Sequence, residues 1–274
     1  MRRLKRSPAR PPKSSTACVR KIVLKIDIIS VQPQMFDGFL RESIVARAVK
    51  KGVCAVDIVD LREFGLGRWH KTDDAPYGGG PGMLMRCEPW FAAVEKCLGG
   101  LEGLGGLGGR VRVIMTDPKG KRFTQRDAEM FASLATANPP TPPNLPNFPN
   151  LPNLHLIFLC GHYEGFDARI ETLATDFYSL GDFVMTGGEL AAAAMTDAIV
   201  RLLPGVLGGG PAATAAESFG AEGLLEAPQY THPPEFRGMK VPEVLLSGDH
   251  RKIEAWRRAQ ARELTEKKRP DLIR

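Results

Sequence analysis

The 274-residue chain is 43% hydrophobic and 25% charged, long enough to bury one or two sizeable cores and ordinary for a water-soluble globular protein. It has no apolar run of membrane-spanning length, and its basic N-terminus has no apolar stretch of signal-peptide length before Val19, so neither a membrane span nor secretion is predicted and the expected compartment is cytoplasmic. The formal charge of +6 is uneven: residues 1–26 hold nine Lys/Arg and no acid, residues 251–274 nine Lys/Arg against four acids, and the body between is net acidic. Basic ends on an acidic body are either solvated surface or the footprint of a polyanion such as RNA.

In chain order, residues 1–20 read as a disordered basic tail. Apolar, β-rich runs follow at 22–30, 53–59, 111–116, 154–160 and 182–186, alternating with helical patterns near 35–50, 88–98, 124–137 and 188–203. Thr124 with Asp127 has capping-box spacing, Gly52 and Gly99 sit at helix stops, and Pro204-Gly205 closes the last helix. The Gly/Leu tract 98–109 and the Pro/Asn tract 138–153 read as surface insertions. Residues 21–207 are thus expected to form an α/β domain on a mainly parallel sheet buried on both faces. A flexible linker at 208–218 then leads to a small helical domain at 219–274. In its helix near 249–267, Ile253, Trp256, Gln260 and Leu264 fall on one stripe at three- or four-residue spacing, with arginines mostly off the stripe.

The five cysteines are odd in number, widely spaced and without a Cys-x-x-Cys pair, which predicts reduced thiols and no structural zinc; Cys160 reads as a small core residue.

In open parallel sheets ligands gather beyond the carboxyl ends of the strands. The loops expected there are TDPKG (116–120), CGHYEGFDARI (160–170) and TGGEL (186–190), and all three contain glycine. Neither a Gly-x-Gly-x-x-Gly turn after the first strand nor a Gly-x-x-x-x-Gly-Lys-[Ser/Thr] loop is present, so phosphate cradling is not the expected task. Loops rich in backbone polar groups and poor in Lys/Arg suit an uncharged purine-ribose portion, as in S-adenosylmethionine, with Glu164, Asp182 or Glu189 near its sulfonium charge. A fourth glycine-rich segment, HKTDDAPYGGGPGMLM (70–85), fits either an Ω-loop or a loop that closes over a planar base beside Tyr77.

PYGGGPGMLM (76–85), CGHYEGFDARI (160–170), GDFVMTGGEL (181–190), PGVLG (204–208), SF (218–219) with GLLEAPQYTHP (223–233), and VPEVLLSGDHRKIEAWRRAQ (241–260) occur in this order. Together they resemble the bacterial tRNA (guanine-N1)-methyltransferases over roughly residues 22–273. The resemblance implies a SPOUT-class α/β fold whose carboxyl-terminal loops thread a deep trefoil knot, an exception to unknotted chains. It implies S-adenosyl-L-methionine as methyl donor, the tRNA anticodon stem-loop as partner with guanine 37 as target, a Mg2+ requirement with no ligands to name, and a homodimer with a shared active site.

Position by position, the resemblance puts the methyl donor against Met115, Thr116 and Pro118, against Gly161, Tyr163, Glu164 and Gly165, and against Leu180, Gly181, Asp182, Phe183, Val184, Met185, Gly187 and Gly188. It implies Glu217 as general base and Arg201 as its companion. It assigns Tyr77, Ser247, His250, Arg251 and Arg257 to the RNA. There are departures. Glu217 stands where the family has Asp, one methylene shorter; Phe183 replaces Tyr; His162 stands where Arg usually lies, and it reads as a partly exposed neutral histidine. Two alternatives share these residues: a related knotted enzyme acting at another RNA position, and an RNA-binding protein that kept the fold without the rate.

Overall fold

The computed structural model describes residues 22–99, 110–137, 152–208, 214 and 217–273. The basic tail, most of the Gly/Leu and Pro/Asn tracts and most of the 208–218 linker lie outside the described residues.

Five strands form one sheet: β1 (Leu24–Ser30), β2 (Cys54–Asp60), β5 (Val111–Arg122), β6 (Leu154–Cys160) and β7 (Asp176–Ser179), in the order β2-β1-β6-β5-β7 and parallel throughout. Two short strands, β3 (Asp73–Asp74) and β4 (Leu84–Met85), pair separately as a hairpin. The central strands are buried on both faces, and all seven residues of β6 are buried, as a near-continuous apolar run requires. One face packs Leu24, Ile26, Ile28, Leu156 and Phe158 against α2 (Ile44–Lys50), α4 (Gln125–Thr136) and α5 (Glu189–Val200). The other packs Ile29, Val113, Met115, Ile157 and Leu159 against α3 (Cys87–Leu98), where Trp90 is fully buried.

Local chemistry sets the helix ends. The pattern at 35–50 forms two helices instead of one, because Ser43 turns extended after α1 (Asp37–Glu42) and its hydroxyl accepts from Val45 N and Ala46 N to cap α2. The capping box of Thr124 and Asp127 starts α4, and Gly99 ends α3 in the left-handed region at φ +65°.

The strand expected at 182–186 is not formed; the last strand is β7, at 176–179, and 182–186 is a loop. Ser179 Oγ accepts from Gly181 N and turns the chain out of the sheet. Phe183 and Val184 then stand 57% and 85% exposed, so β-propensity there meets no layer to pack on.

In the carboxyl-terminal part, α6 (Glu243–Leu246) precedes α7 (His250–Lys268), which Asp249 caps through Lys252 N. Ile253, Trp256, Gln260 and Leu264 share the half-buried face of α7, with Tyr230 against Trp256. Thr265 is fully buried; its hydroxyl accepts from Leu225 N and donates to Ala261 O, tying the segment after Phe219 to the helix.

Candidate active site

Three loops leave neighbouring carboxyl ends of the sheet and meet. The ladder between β5 and β7 breaks between Thr116 and Lys121, and residues 117–120 bulge outward. Gly120 brings the chain back so tightly that an added Cβ would lie 2.5 Å from Tyr178 N. After β6, residues 161–167 turn through Tyr163 and Gly165, both at positive φ. The third loop, 180–188, is bound to the second: Gly188 N donates to Gly161 O at 2.9 Å, and His162 bridges Gly187. A Cβ on Gly188 would stand 1.9 Å from Thr116 Oγ1, itself donating to Leu159 O. Only glycine lets these three backbones close together.

Between them lies a cleft of about 360 Å³, within the size range of small-ligand sites. Its lining includes Thr116 and Pro118; Gly161, Tyr163, Glu164 and Gly165; and Leu180, Gly181, Phe183, Val184, Met185, Gly187 and Gly188. Two expected contacts lie elsewhere. Met115 is fully buried in the core on the α3 side, because its neighbour Thr116 takes the face toward the cleft. Asp182 points to solvent, 91% exposed, and pairs with Arg122.

The lining also holds Asp117, Lys119, His162, Phe166, Glu171 and Tyr178, none of them among the residues expected from sequence. Asp117 and Lys119 sit in the loop TDPKG, and His162 and Phe166 in CGHYEGFDARI, so a signal existed for these; Glu171, just past the second loop, and Tyr178, in β7, carried none. Lys119 Nζ bonds Glu171 at 2.9 Å, and this bond with the nearby Asp117 raises its pKa. The cleft therefore offers carboxylates and backbone groups, with its one lysine already engaged.

The glycine segment 76–85 is sewn to the second loop: Glu164 N donates to Met83 O, Met85 N to Gly165 O, and Asp167 N to Met85 O. A Cβ on Gly82 would strike the Glu164 carboxyl at 2.4 Å. Tyr77, at the tip between β3 and β4, is fully exposed.

Arg201 ends α5, and its Nη2 lies 2.5 Å from Glu217 Oε1, with both side chains partly buried. Among the described residues the cleft lining includes neither of them. Ser247 is engaged locally, donating to Val244 O and accepting from Asp249 N. His250, Arg251 and Arg257 are exposed on α7. Among the described residues no group of three or more His, Cys, Asp or Glu is placed to hold a metal ion.

The described residues thus form an α/β protein with a glycine-walled cleft of small-ligand size at the carboxyl edge of a parallel sheet, followed by a basic helical segment. The chain belongs to the family described as tRNA (Guanine-1)-methyltransferase TrmD, whose model matches residues 24–137 and 150–274. Proteins named tRNA (guanine-N(1)-)-methyltransferase are 47% identical over 250 residues in Anaeromyxobacter sp. (strain K) and 45% in Latilactobacillus sakei subsp. sakei (strain 23K), each alignment covering 91% of both chains. That of Listeria monocytogenes serovar 1/2a is 44% identical over 252 residues, covering 92% of both.

Proposed function

We propose that this protein is a tRNA (guanine-N1)-methyltransferase that moves a methyl group from S-adenosyl-L-methionine to N1 of guanine 37, beside the anticodon. The observation that carries the assignment is the cleft walled by residues 161–165 and 180–188, in a chain matched almost throughout by the family model. The cleft fits the methyl donor in size and chemistry: glycine backbone faces it, Leu180, Phe183, Val184 and Met185 give an apolar wall, and the Glu164 carboxylate suits a cationic ligand. When bound, the donor supplies an electrophilic methyl group.

The chain's own residues supply positioning and proton removal. Guanine N1 carries a proton at neutral pH, so a base must take it as the new N–C bond forms. Glu217 is that base, and Arg201 holds its carboxylate by a charge-assisted hydrogen bond. Both stand apart from the lining of their own chain's cleft. This separation supports a homodimer in which one subunit's cleft is completed by Glu217 and Arg201 of the other. The knotted threading of the SPOUT class belongs to the same proposal. A magnesium requirement finds no matching cluster among the described residues, and no step is assigned to the ion.

The RNA is gripped by α7, where Arg251 and Arg257 face solvent and suit phosphate contacts, with His250 and Ser247 at its start. Tyr77, fully exposed at the tip of the glycine loop, would stack on a base. Purified protein, labelled S-adenosylmethionine and a tRNA transcript with guanine 37 should give a primer-extension stop opposite that base. Replacing the guanine should abolish both label and stop. A stop at another position would assign the protein to a different RNA target, and donor-independent RNA binding without label would make it a binding protein only.

A further inference from the structure

His162 reads from the sequence as a partly exposed histidine without a special role, yet its surroundings in the structure are unusual. Its side chain is 19% exposed, but Nδ1 is sealed from water and has no hydrogen-bond partner. A buried, unpaired ring nitrogen is costly and needs an explanation. Facing it at 3.7 Å is Oε2 of Glu189, a carboxylate only 2% exposed at the first position of α5. The other oxygen of Glu189 accepts from Ser30 Oγ at 2.7 Å, at the end of β1. A buried carboxylate needs partners for both oxygens, and Ser30 satisfies only one of them.

Beside the two groups runs the backbone of Gly187, part of the cleft wall. A Cβ there would lie 2.2 Å from Glu189 Oε2 and 2.5 Å from His162 Nδ1. His162 and Gly187 are already paired through the backbone bridge, so a small inward movement of the ring would convert a 3.7 Å approach into a hydrogen bond. Toward solvent, the same ring packs edge-on to Tyr163, which lines the cleft beside Glu164.

We propose that His162 is a positioning residue that acts through Glu189. Its Nδ1–H donates to the Glu189 carboxylate, which Ser30 anchors, and the pair clamps the Gly187–Gly188 wall into the shape that takes the methyl donor. This rests on the cleft being the donor site, and binding experiments separate the two ideas. The probe is S-adenosylhomocysteine, titrated by calorimetry into full-length wild-type protein, His162→Ala, His162→Asn, Glu189→Gln and the double variant His162→Ala/Glu189→Gln, with melting temperatures measured alongside.

In His162→Asn the side-chain amide nitrogen stands close to where Nδ1 stood, so affinity should stay within about twofold of wild type. His162→Ala should weaken binding roughly tenfold, the scale of one hydrogen bond to a charged group. The double variant should bind no more weakly than the worse single variant, as coupled residues do. Equal affinity of His162→Ala and wild type, or effects that simply multiply in the double variant, would overturn the coupling while leaving the donor site standing. Weakening in both His162→Ala and His162→Asn would also overturn it. No binding to wild-type protein would remove the donor site and the clamp together. Should Glu189→Gln fail to fold, the contrast between His162→Ala and His162→Asn still decides.

Discussion

Arg201 Nη2 donates to Glu217 Oε1 at 2.5 Å across sixteen residues of chain, linking the end of α5 to the segment that opens the carboxyl-terminal part. The bond places the longer carboxylate, one methylene beyond aspartate, against the guanidinium that would hold it in line. Glu217→Gln keeps the shape and removes the proposed base. Methyl transfer should fall by about 10²–10⁴-fold, the usual contribution of a positioned general base. Calorimetry should still show S-adenosylhomocysteine binding, because Glu217 is absent from the cleft lining of its own chain. Unchanged turnover would remove Glu217 from the chemistry.

Gly188 is the tightest point of the cleft wall. Its would-be Cβ meets Thr116 Oγ1 at 1.9 Å and Cys160 Cα at 3.0 Å, and the threonine cannot swing away without giving up its bond to Leu159 O. Gly188→Ala should cost about 1–3 kcal/mol in stability, the scale of overpacking, and should weaken S-adenosylhomocysteine binding as well. Gly38→Ala is the control: it lies in α1 with nothing within 4 Å of the added carbon. That substitution should be neutral or stabilising by up to about 1 kcal/mol. Thermal denaturation of the two variants side by side tests the difference.

Much of this frame was legible in the sequence because burial leaves a pattern. The all-buried run of β6 and the capping box at Thr124 name their own structures, and the stripe on α7 falls where its spacing predicts. The site was legible where glycine marked a close approach, as at Gly161, Gly187 and Gly188. What failed depended on distant partners. Phe183 and Val184, strand-like in sequence, face no opposing layer, while Ser43 splits a helix that periodicity alone would continue. Met115 and Thr116 point to opposite sides of one strand, and register decides which of them sees the cleft. Ser30 and Glu189 are 159 residues apart, with His162 between them in the chain, and nothing local joins the three.

Asp27 carries a pH-dependent share of stability. Burial pushes its pKa up, but the hydrogen bond and charge of His155, with Lys25 beyond, outweigh this and leave it below the ordinary 3.8. His155 Nε2 lies 2.6 Å and Lys25 Nζ 3.0 Å from Oδ2. A carboxylate whose folded pKa is lowered contributes stability that is fully present above the unfolded value and is lost as pH falls through the folded one. Urea unfolding should therefore show stability falling below about pH 4, and Asp27→Asn should lose part of that slope. At pH 7 the variant should be less stable by about 1–3 kcal/mol, since it weakens the buried hydrogen bond of His155 Nε2 and removes the ion-pair partner of the half-buried Lys25.

The thiols should sort by burial. Burial raises the pKa of Cys54 to about 11, and burial with the charge of Asp27 raises that of Cys97 to about 12. At pH 8 almost none of either is thiolate, and the thiolate is the reactive form. Mass spectrometry after brief iodoacetamide treatment should find both unmodified in the native protein and both modified after denaturation. Native labelling of Cys54 would mean that β2 opens at the sheet edge.

Arg257 and Arg258 are neighbours on α7 with different commitments. Arg258 Nη2 is 3.0 Å from Glu222 Oε1, so part of its charge is spent within the protein, whereas Arg257 is exposed to solvent. If α7 tracks the RNA backbone, Arg257→Ala removes a phosphate contact. Affinity for tRNA should then fall similarly for every substrate sequence, and the slope of log K against log salt should shrink by about 0.7–0.9. Arg258→Ala should shrink it less, because the cation it removes was already paired. Filter binding at four or five salt concentrations measures both slopes, and an unchanged slope in Arg257→Ala would place the RNA on another face.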